Sequence, residues 1–288
     1  MTQETETTIQ GLTGKIAAIQ SGSEGGFPVL CLHGWLDNAS SFTPVCRSLP
    51  DHRWISIDLP GHGNSAHRPP GCIYHFTDYV ADVYQVAKNL GFDRFSLVGH
   101  SLGAGIAATF AASFPACVNR LVLIDGIGPI SGDDDDTLDQ FRRSMAFLNE
   151  GETLQLSEYR SWDGLVDKRL HAGRINRSSV ETLLRRGTFR QNGKIVVCSD
   201  PRLKQHSPVY MSQGKVLSIL HGISAPTLLI LARDGLVIPR KSTNRRIRAV
   251  PGMVVEEVEG HHHVHMDHPE TVAPLIGRFL GTASVGRS

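Results

Sequence analysis

The chain has 288 residues, of which 40% are hydrophobic and 20% charged, and its net charge is +1. That length suits one large α/β domain, or a core with an inserted subdomain, and the balanced charge removes any electrostatic case for nucleic acid or an anionic membrane as partner. Five scattered cysteines (Cys31, Cys46, Cys72, Cys117 and Cys198) point to reduced thiols rather than a disulfide framework. The polar opening Met1-Thr2-Gln3-Glu4 lacks the apolar core of a signal peptide, and no stretch approaches the roughly 18 apolar residues that a membrane span needs. A cytoplasmic monomer or homodimer is the expectation.

Residues 1–26 are polar, with an apolar alternation near Lys15 to Gln20 that predicts one edge strand. Pro28 to Leu32 is a fully apolar strand of the parallel-sheet kind, running into His33-Gly34-Trp35-Leu36-Asp37-Asn38. Residues 40–49 are expected to be helical, and Trp54 to Ile57 to form a buried strand ending at Asp58. The cluster Leu59-Pro60-Gly61-His62-Gly63-Asn64-Ser65 is a turn. Asp78 to Leu90 carries apolar residues at helical spacing, with Gly91 placed to cap it. Phe95 to Val98 predicts a strand, then comes the turn Gly99-His100-Ser101-Leu102-Gly103, then an Ala-rich helix to about Ser113. Leu121 to Ile124 is the next strand, ending at Asp125-Gly126.

This alternation calls for a parallel sheet covered on both faces. From about Gly128 to Ser224 the pattern turns charged and helical, with Asp133 to Asp136 suited to the first turn of a helix. The strand rhythm resumes at Thr227 to Leu231 and Met253 to Val258, and a helix near 270–280 closes the chain. The expected arrangement is a core of residues 1–127 and 225–288 with a helical cap, 128–224, inserted into it. Arg142, Arg185 and Arg186 are expected to be solvated cap charges rather than anchors for a substrate carboxylate, and Arg240 to Arg248 the wet face of a helix.

Gly-x-Ser-x-Gly between a strand and a helix forces the serine onto a sharp turn at the sheet edge, beside a helix N-terminus that favours negative charge. Ser101 is therefore the candidate nucleophile. A serine hydroxyl needs a base, a group that orients the base, and donors for an oxyanion. Val258-Glu259-Gly260-His261-His262-His263-Val264-His265 follows the last strand and supplies the base. Such clustered histidines also suit a metal, but no cysteine cluster or helical His-Glu-x-x-His accompanies them, so no metal and no cofactor is expected. Asp234 and Asp125, each ending a strand, are the candidate acids. The amides of Leu102 and Trp35 are the candidate oxyanion donors.

With His33-Gly34-Trp35, Asp58 to Ser65, Gly99 to Gly103 and Gly260 to Glu270 in this order, the chain resembles the α/β-hydrolase superfamily over roughly residues 10–282. It is most similar to the serine-hydrolase-like, Kraken-type branch, on His33 to Ala39, Leu123 to Gly126 and Asp200-Pro201-Arg202-Leu203-Lys204. The resemblance implies an α/β-hydrolase fold, a mostly parallel twisted sheet flanked by helices, and cofactor-free hydrolysis of an ester-like bond in a small acyl substrate. It places the catalytic histidine at His262, leaves His33, His62 and His100 as structural histidines, and gives His265 and Asp267 a packing role. It also puts Gly235 where the acid usually stands, with Asp234 one residue early, while relatives that take the acid from the preceding strand match Asp125. Asp234 is favoured and Asp125 kept as the alternative. Carbon–carbon bond hydrolysis, cofactor-free oxygenation and non-catalytic ligand binding share the fold. Dehalogenase and epoxide-hydrolase chemistry would need a carboxylate where Ser101 stands.

Overall fold

The computed structural model describes residues 4–149, 155–236 and 240–281. In chain order the elements are β1 (Thr5–Gln10), β2 (Lys15–Gly22), β3 (Pro28–Leu32), α1 (Thr43–Ser48), β4 (Arg53–Ile57), α2 (Phe76–Asn89), β5 (Phe95–His100), α3 (Leu102–Ser113), β6 (Val118–Ile124) and α4 (Thr137–Asn149). They continue with β7 (Glu158–Tyr159), α5 (Trp162–Ala172), α6 (Arg177–Arg186), β8 (Thr188–Gln191), β9 (Lys194–Val197) and α7 (Gln213–His221). The chain closes with β10 (Thr227–Asp234), α8 (Arg240–Ala249), β11 (Val254–His261), α9 (Val264–Asp267) and α10 (Pro269–Leu280).

Eight strands form one sheet in the order β1-β2-β4-β3-β5-β6-β10-β11, parallel from β4 onward and antiparallel at the β1-β2-β4 end. The central strands are apolar throughout because both faces are covered: β5 is buried at all six positions. On one face Tyr79, Val83 and Val86 of α2, Ile106 and Phe110 of α3, and Val216 and Leu220 of α7 pack on the sheet. On the other, Val45 and Cys46 of α1 meet Val272 and Ile276 of α10. Helix α3 has no polar face, since Gly103 to Ala108, Phe110 and Ala111 are all buried.

The register sets the site. Leu32 pairs with Gly99, His100 with Ile124, and Ile124 with Ile230, so the loops after β3, β5, β6 and β10 open at one edge of the sheet. The histidine loop after β11 joins them, because Asp234 pairs with His261. Clefts form at this carboxyl-terminal edge of parallel strands.

Three expectations are corrected. Thr5–Gln10 is a second N-terminal strand, hairpinned onto β2 from Thr5↔Gln20 to Gln10↔Lys15. Thr5, Glu6, Thr8 and Gln10 are exposed and Thr7 is half-buried, so only Ile9 buries and no apolar run announces it. The segment between β6 and β10 is not purely helical: β7, β9 and β8 form a small antiparallel sheet, with Ile195 packed against Leu165, Val166, Val180 and Leu183. Arg246 is not on a wet face. It is 1% exposed and donates to the carbonyls of Ile127 and Pro129, each at 2.8 Å, so it clamps the loop that leaves β6.

Candidate active site

Ser101 sits between β5 and α3 with φ 52° and ψ −113°. That left-handed conformation costs a non-glycine residue on the order of 1–3 kcal/mol and persists only where the surroundings impose it. Here the Ser101 amide donates to the Ile124 carbonyl at 3.0 Å, and the Ser101 carbonyl accepts from the Gly105 amide at 3.1 Å. The flanking glycines are steric necessities. A Cβ on Gly103 would collide with the Leu32 carbonyl, and one on Gly99 with the Gly103 carbonyl. Gly126 is needed as well, since a Cβ there would lie 2.9 Å from the Ser101 carbonyl oxygen. Leu102 opens α3, so its amide has no acceptor within the helix. The pairing of β3 with β5 brings the loop carrying Trp35 beside it.

His262 follows β11, and its Nδ1–H donates to Asp125 Oδ2 at 2.5 Å. The two side chains are 13% and 5% exposed. Asp125 has φ 42°, and its carboxylate also accepts the amides of Ala232 at 3.2 Å and Leu236 at 3.0 Å. The expected preference for Asp234 is thus overturned as geometry. Asp234 continues the β10–β11 ladder opposite His261, to whose Nδ1 it offers only its backbone carbonyl, at 3.4 Å. One residue on, a Cβ on Gly235 would run into the Asp125 carboxylate. The acid on β6 occupies the space that a side chain at position 235 would fill.

Four fully buried histidines, His33, His62, His100 and His265, form the floor. His33 donates from Nδ1 to the Gly34 carbonyl at 2.7 Å and accepts the Leu59 amide on Nε2 at 3.0 Å. Burial lowers its pKa to about 4. His62 donates from Nδ1 to the Pro60 carbonyl at 3.1 Å and is lowered to about 3, by burial first and then by His33. His100 donates from Nε2 to the His262 carbonyl at 2.9 Å, which ties the floor to the histidine loop after β11. His265 shares a 2.6 Å hydrogen bond with Ser41, and burial lowers it to about 3.

The segment between β6 and β10 is tied to this edge by polar contacts. Trp35 Nε1 donates to the Leu203 carbonyl at 2.9 Å, Asn38 Nδ2 to that of Leu183 at 2.8 Å, and Arg169 to Asp37 Oδ1 at 2.7 Å. Asp267 accepts the Asn176 amide and, at 2.6 Å, the Ser179 hydroxyl. Asp200 accepts the Tyr74 hydroxyl at 2.7 Å and the Arg202 amide at 2.9 Å, which accounts for the Asp200-Pro201-Arg202 sequence in structural terms. Arg186 is neither solvated nor available to substrate. It is buried and bonds Asp58 through Nε at 3.0 Å, with Glu6 as a second partner. Arg142 pairs with Asp139 at the surface, and Arg185 lies 3.8 Å from Glu181. Sequence reasoning missed the Arg169–Asp37–His263 group, in which His263 Nε2 lies 3.1 Å from Asp37 Oδ2. Arg169 lies on α5, Asp37 on the loop after β3 and His263 on the loop after β11, so no spacing rule joins them.

A parallel sheet carrying a strained serine, with a histidine–aspartate pair on its neighbouring loops, defines a hydrolase fold, and the comparisons agree. The chain belongs to the alpha/beta hydrolase fold family, whose model matches residues 28–269. A serine hydrolase-like protein of Danio rerio is 34% identical over 270 residues, 90% of this chain and 83% of that one. Serine hydrolase-like protein 2 of Homo sapiens is 33% identical over 287 residues, 93% and 91% of the two chains. A hypothetical protein of Pseudomonas aeruginosa PAO1, solved by crystallography, superposes with a TM-score of 0.90 at 32% identity, covering 96% of this chain and 99% of that one.

Proposed function

We propose that this hydrolase is a serine hydrolase cleaving carboxylester, lactone or thioester bonds in small acyl substrates through an acyl-enzyme on Ser101. The observation that carries this reading is the coincidence of a positive-φ serine with a part-buried His262–Asp125 pair at the same sheet edge. Asp125 fixes the proton of His262 on Nδ1, which leaves Nε2 unprotonated and able to take the Ser101 proton. As the hydroxyl attacks, the imidazolium that forms is stabilised by the carboxylate, and the amides of Leu102 and Trp35 receive the oxyanion. His262 then returns its proton to the leaving group, and water activated by the same imidazole releases the acid. The insertion, tied down through Trp35, Asn38 and Asp37, covers the edge as a cap and shapes the acyl pocket.

Labelling with a fluorophosphonate probe, followed by turnover of a panel of acyl esters of graded chain length, tests the reading. Wild type should label and Ser101→Ala should not. Labelling that survives the substitution, or a wild type that does not label, removes Ser101 as nucleophile.

A further inference from the structure

Three side chains that take no part in the proposed proton transfers meet beside His262. Asp37 lies on the loop after β3, His100 ends β5, and His263 follows β11, and one ligand atom of each lies within 4.8 Å of the others. His100 is fully buried, and because its Nε2–H is committed to the His262 carbonyl its Nδ1 bears a lone pair. That Nδ1 has no hydrogen-bond partner and stands 3.7 Å from Asp37 Oδ2. A buried lone pair facing a carboxylate oxygen is an unfavourable arrangement that a cation between them would relieve. Arg169 occupies only Oδ1 of Asp37, so Oδ2 is left to this cluster, with His263 Nε2 3.1 Å away. The space is also kept open: a Cβ on Gly34 would lie 2.9 Å from both Asp37 Oδ2 and His100 Nδ1.

We infer that Asp37, His100 and His263 form a binding site for a divalent transition-metal ion, zinc or copper in chemical class. Two imidazoles and one carboxylate oxygen select borderline ions of this kind over magnesium or calcium, which require oxygen shells. With metal–ligand bonds of about 2.0–2.2 Å, tetrahedral ligands stand a little over 3 Å apart. The observed separations from Asp37 Oδ2, 3.1 Å to His263 and 3.7 Å to His100, bracket that spacing, and the 12% exposure of the His263 ring gives the ion its entry. Binding displaces the proton on His263 Nε2 to the buffer, and Asp37 and the lone pair of His100 Nδ1 already stand ready. The Arg169 guanidinium beside Asp37 weakens the site, which makes it one that loads and unloads rather than a permanent structural centre. The rings of His100 and His262 are 4.5 Å apart, so a bound dication opposes the positive charge that His262 gains in the transition state. This consequence for turnover rests on the function proposed above; the site itself does not.

The test is Zn2+ titration of the tag-free, chelator-treated full chain by calorimetry, repeated with Co2+ and followed by its visible absorption. One ion per chain is expected, with a tetrahedral Co2+ spectrum. His263→Gln and Asp37→Asn should each weaken binding at least tenfold, with folding checked by circular dichroism, while the exposed His268→Gln should bind as wild type does. Ser101→Ala should also bind fully, so loss of hydrolysis and loss of metal are separable. Zn2+ should lower kcat for an ester substrate with little change in KM, and His263→Gln should lose that sensitivity. A wild type that takes up no Zn2+, or a His263→Gln protein that binds as tightly as wild type, overturns the site.

Discussion

At the scale of single residues, the candidate triad turns on which acid serves His262. A strand-end aspartate was legible at both 125 and 234, and chain order admits either. What separates them is a through-space exclusion that no linear pattern records: the Asp125 carboxylate fills the volume where a side chain at Gly235 would stand, and bonds His262 from there. Asp125→Asn is expected to cost roughly 10²–10⁴-fold in kcat, because an amide no longer fixes the His262 tautomer or stabilises its cation. Asp234→Asn should stay within a few-fold of wild type, since its contact with the loop is through the backbone. Steady-state kinetics on one ester substrate decides this, and equal losses in the two variants would refute the assignment. The shared volume leads to a sharper expectation. Gly235→Asp alone should be damaging, as two carboxylates compete for one space, whereas combining it with Asp125→Gly should recover part of the activity that Asp125→Gly loses.

At the scale of elements, the parallel strands were legible because burial on both faces leaves uninterrupted apolar runs, as in residues 28–32 and 121–124. Elements that bury little escaped: β1 buries only Ile9, β7 and β8 bury nothing, and β9 is four residues long with two buried. The elbow was legible because its glycines are forced: α3 approaches β3 so closely at Gly103 that a Cβ meets backbone rather than a movable side chain. Gly103→Ala should therefore destabilise by about 1–3 kcal/mol or more, lowering Tm by several degrees, and should impair fluorophosphonate labelling by shifting Ser101. The Arg186–Asp58 bond between insertion and core was illegible for the opposite reason, since a terminal helix arginine ordinarily faces water. Asp58 is completely buried and also accepts the amides of Ala39 and Asn64, each at 2.7 Å. Arg186→Met leaves that carboxylate uncompensated and is expected to cost about 3–5 kcal/mol, measurable by urea unfolding. A loss below about 1 kcal/mol would show that the pair adds nothing beyond packing.

At the scale of the whole molecule, the histidine floor makes folding sensitive to mild acid. His33, His62, His100 and His265 are fully buried and all have lowered pKa values, to about 4, about 3, well below the usual range and about 3 respectively. Burial is the leading cause in each case; for His100, the neighbouring His265 and His262 add to it. In the unfolded chain each would titrate near 6.5. Above that pH both states hold these rings neutral and no stability depends on them. As pH falls below about 6.5 the unfolded chain takes up protons that the folded protein refuses, so stability drops by about 1.4 kcal/mol per pH unit for each histidine until its folded pKa is reached. Four such groups acting together lose about 5.5 kcal/mol per unit, which over one to two units consumes the whole stability of an ordinary domain. Asp37 does not blur this window. Burial alone would raise its carboxyl, but the charges of His263 and Arg169 outweigh that and hold it well below the usual carboxylate range, so its contribution is lost only at lower pH. Urea unfolding at pH 8, 7, 6 and 5 should therefore give a plateau from 8 to 7, then a steep fall beginning below about 6.5, with proton uptake on unfolding at pH 5.5 approaching four per chain from this group. A free energy that stays level down to pH 5 would mean that these rings accept protons in the folded state, and the floor would then have to carry charge beneath His262.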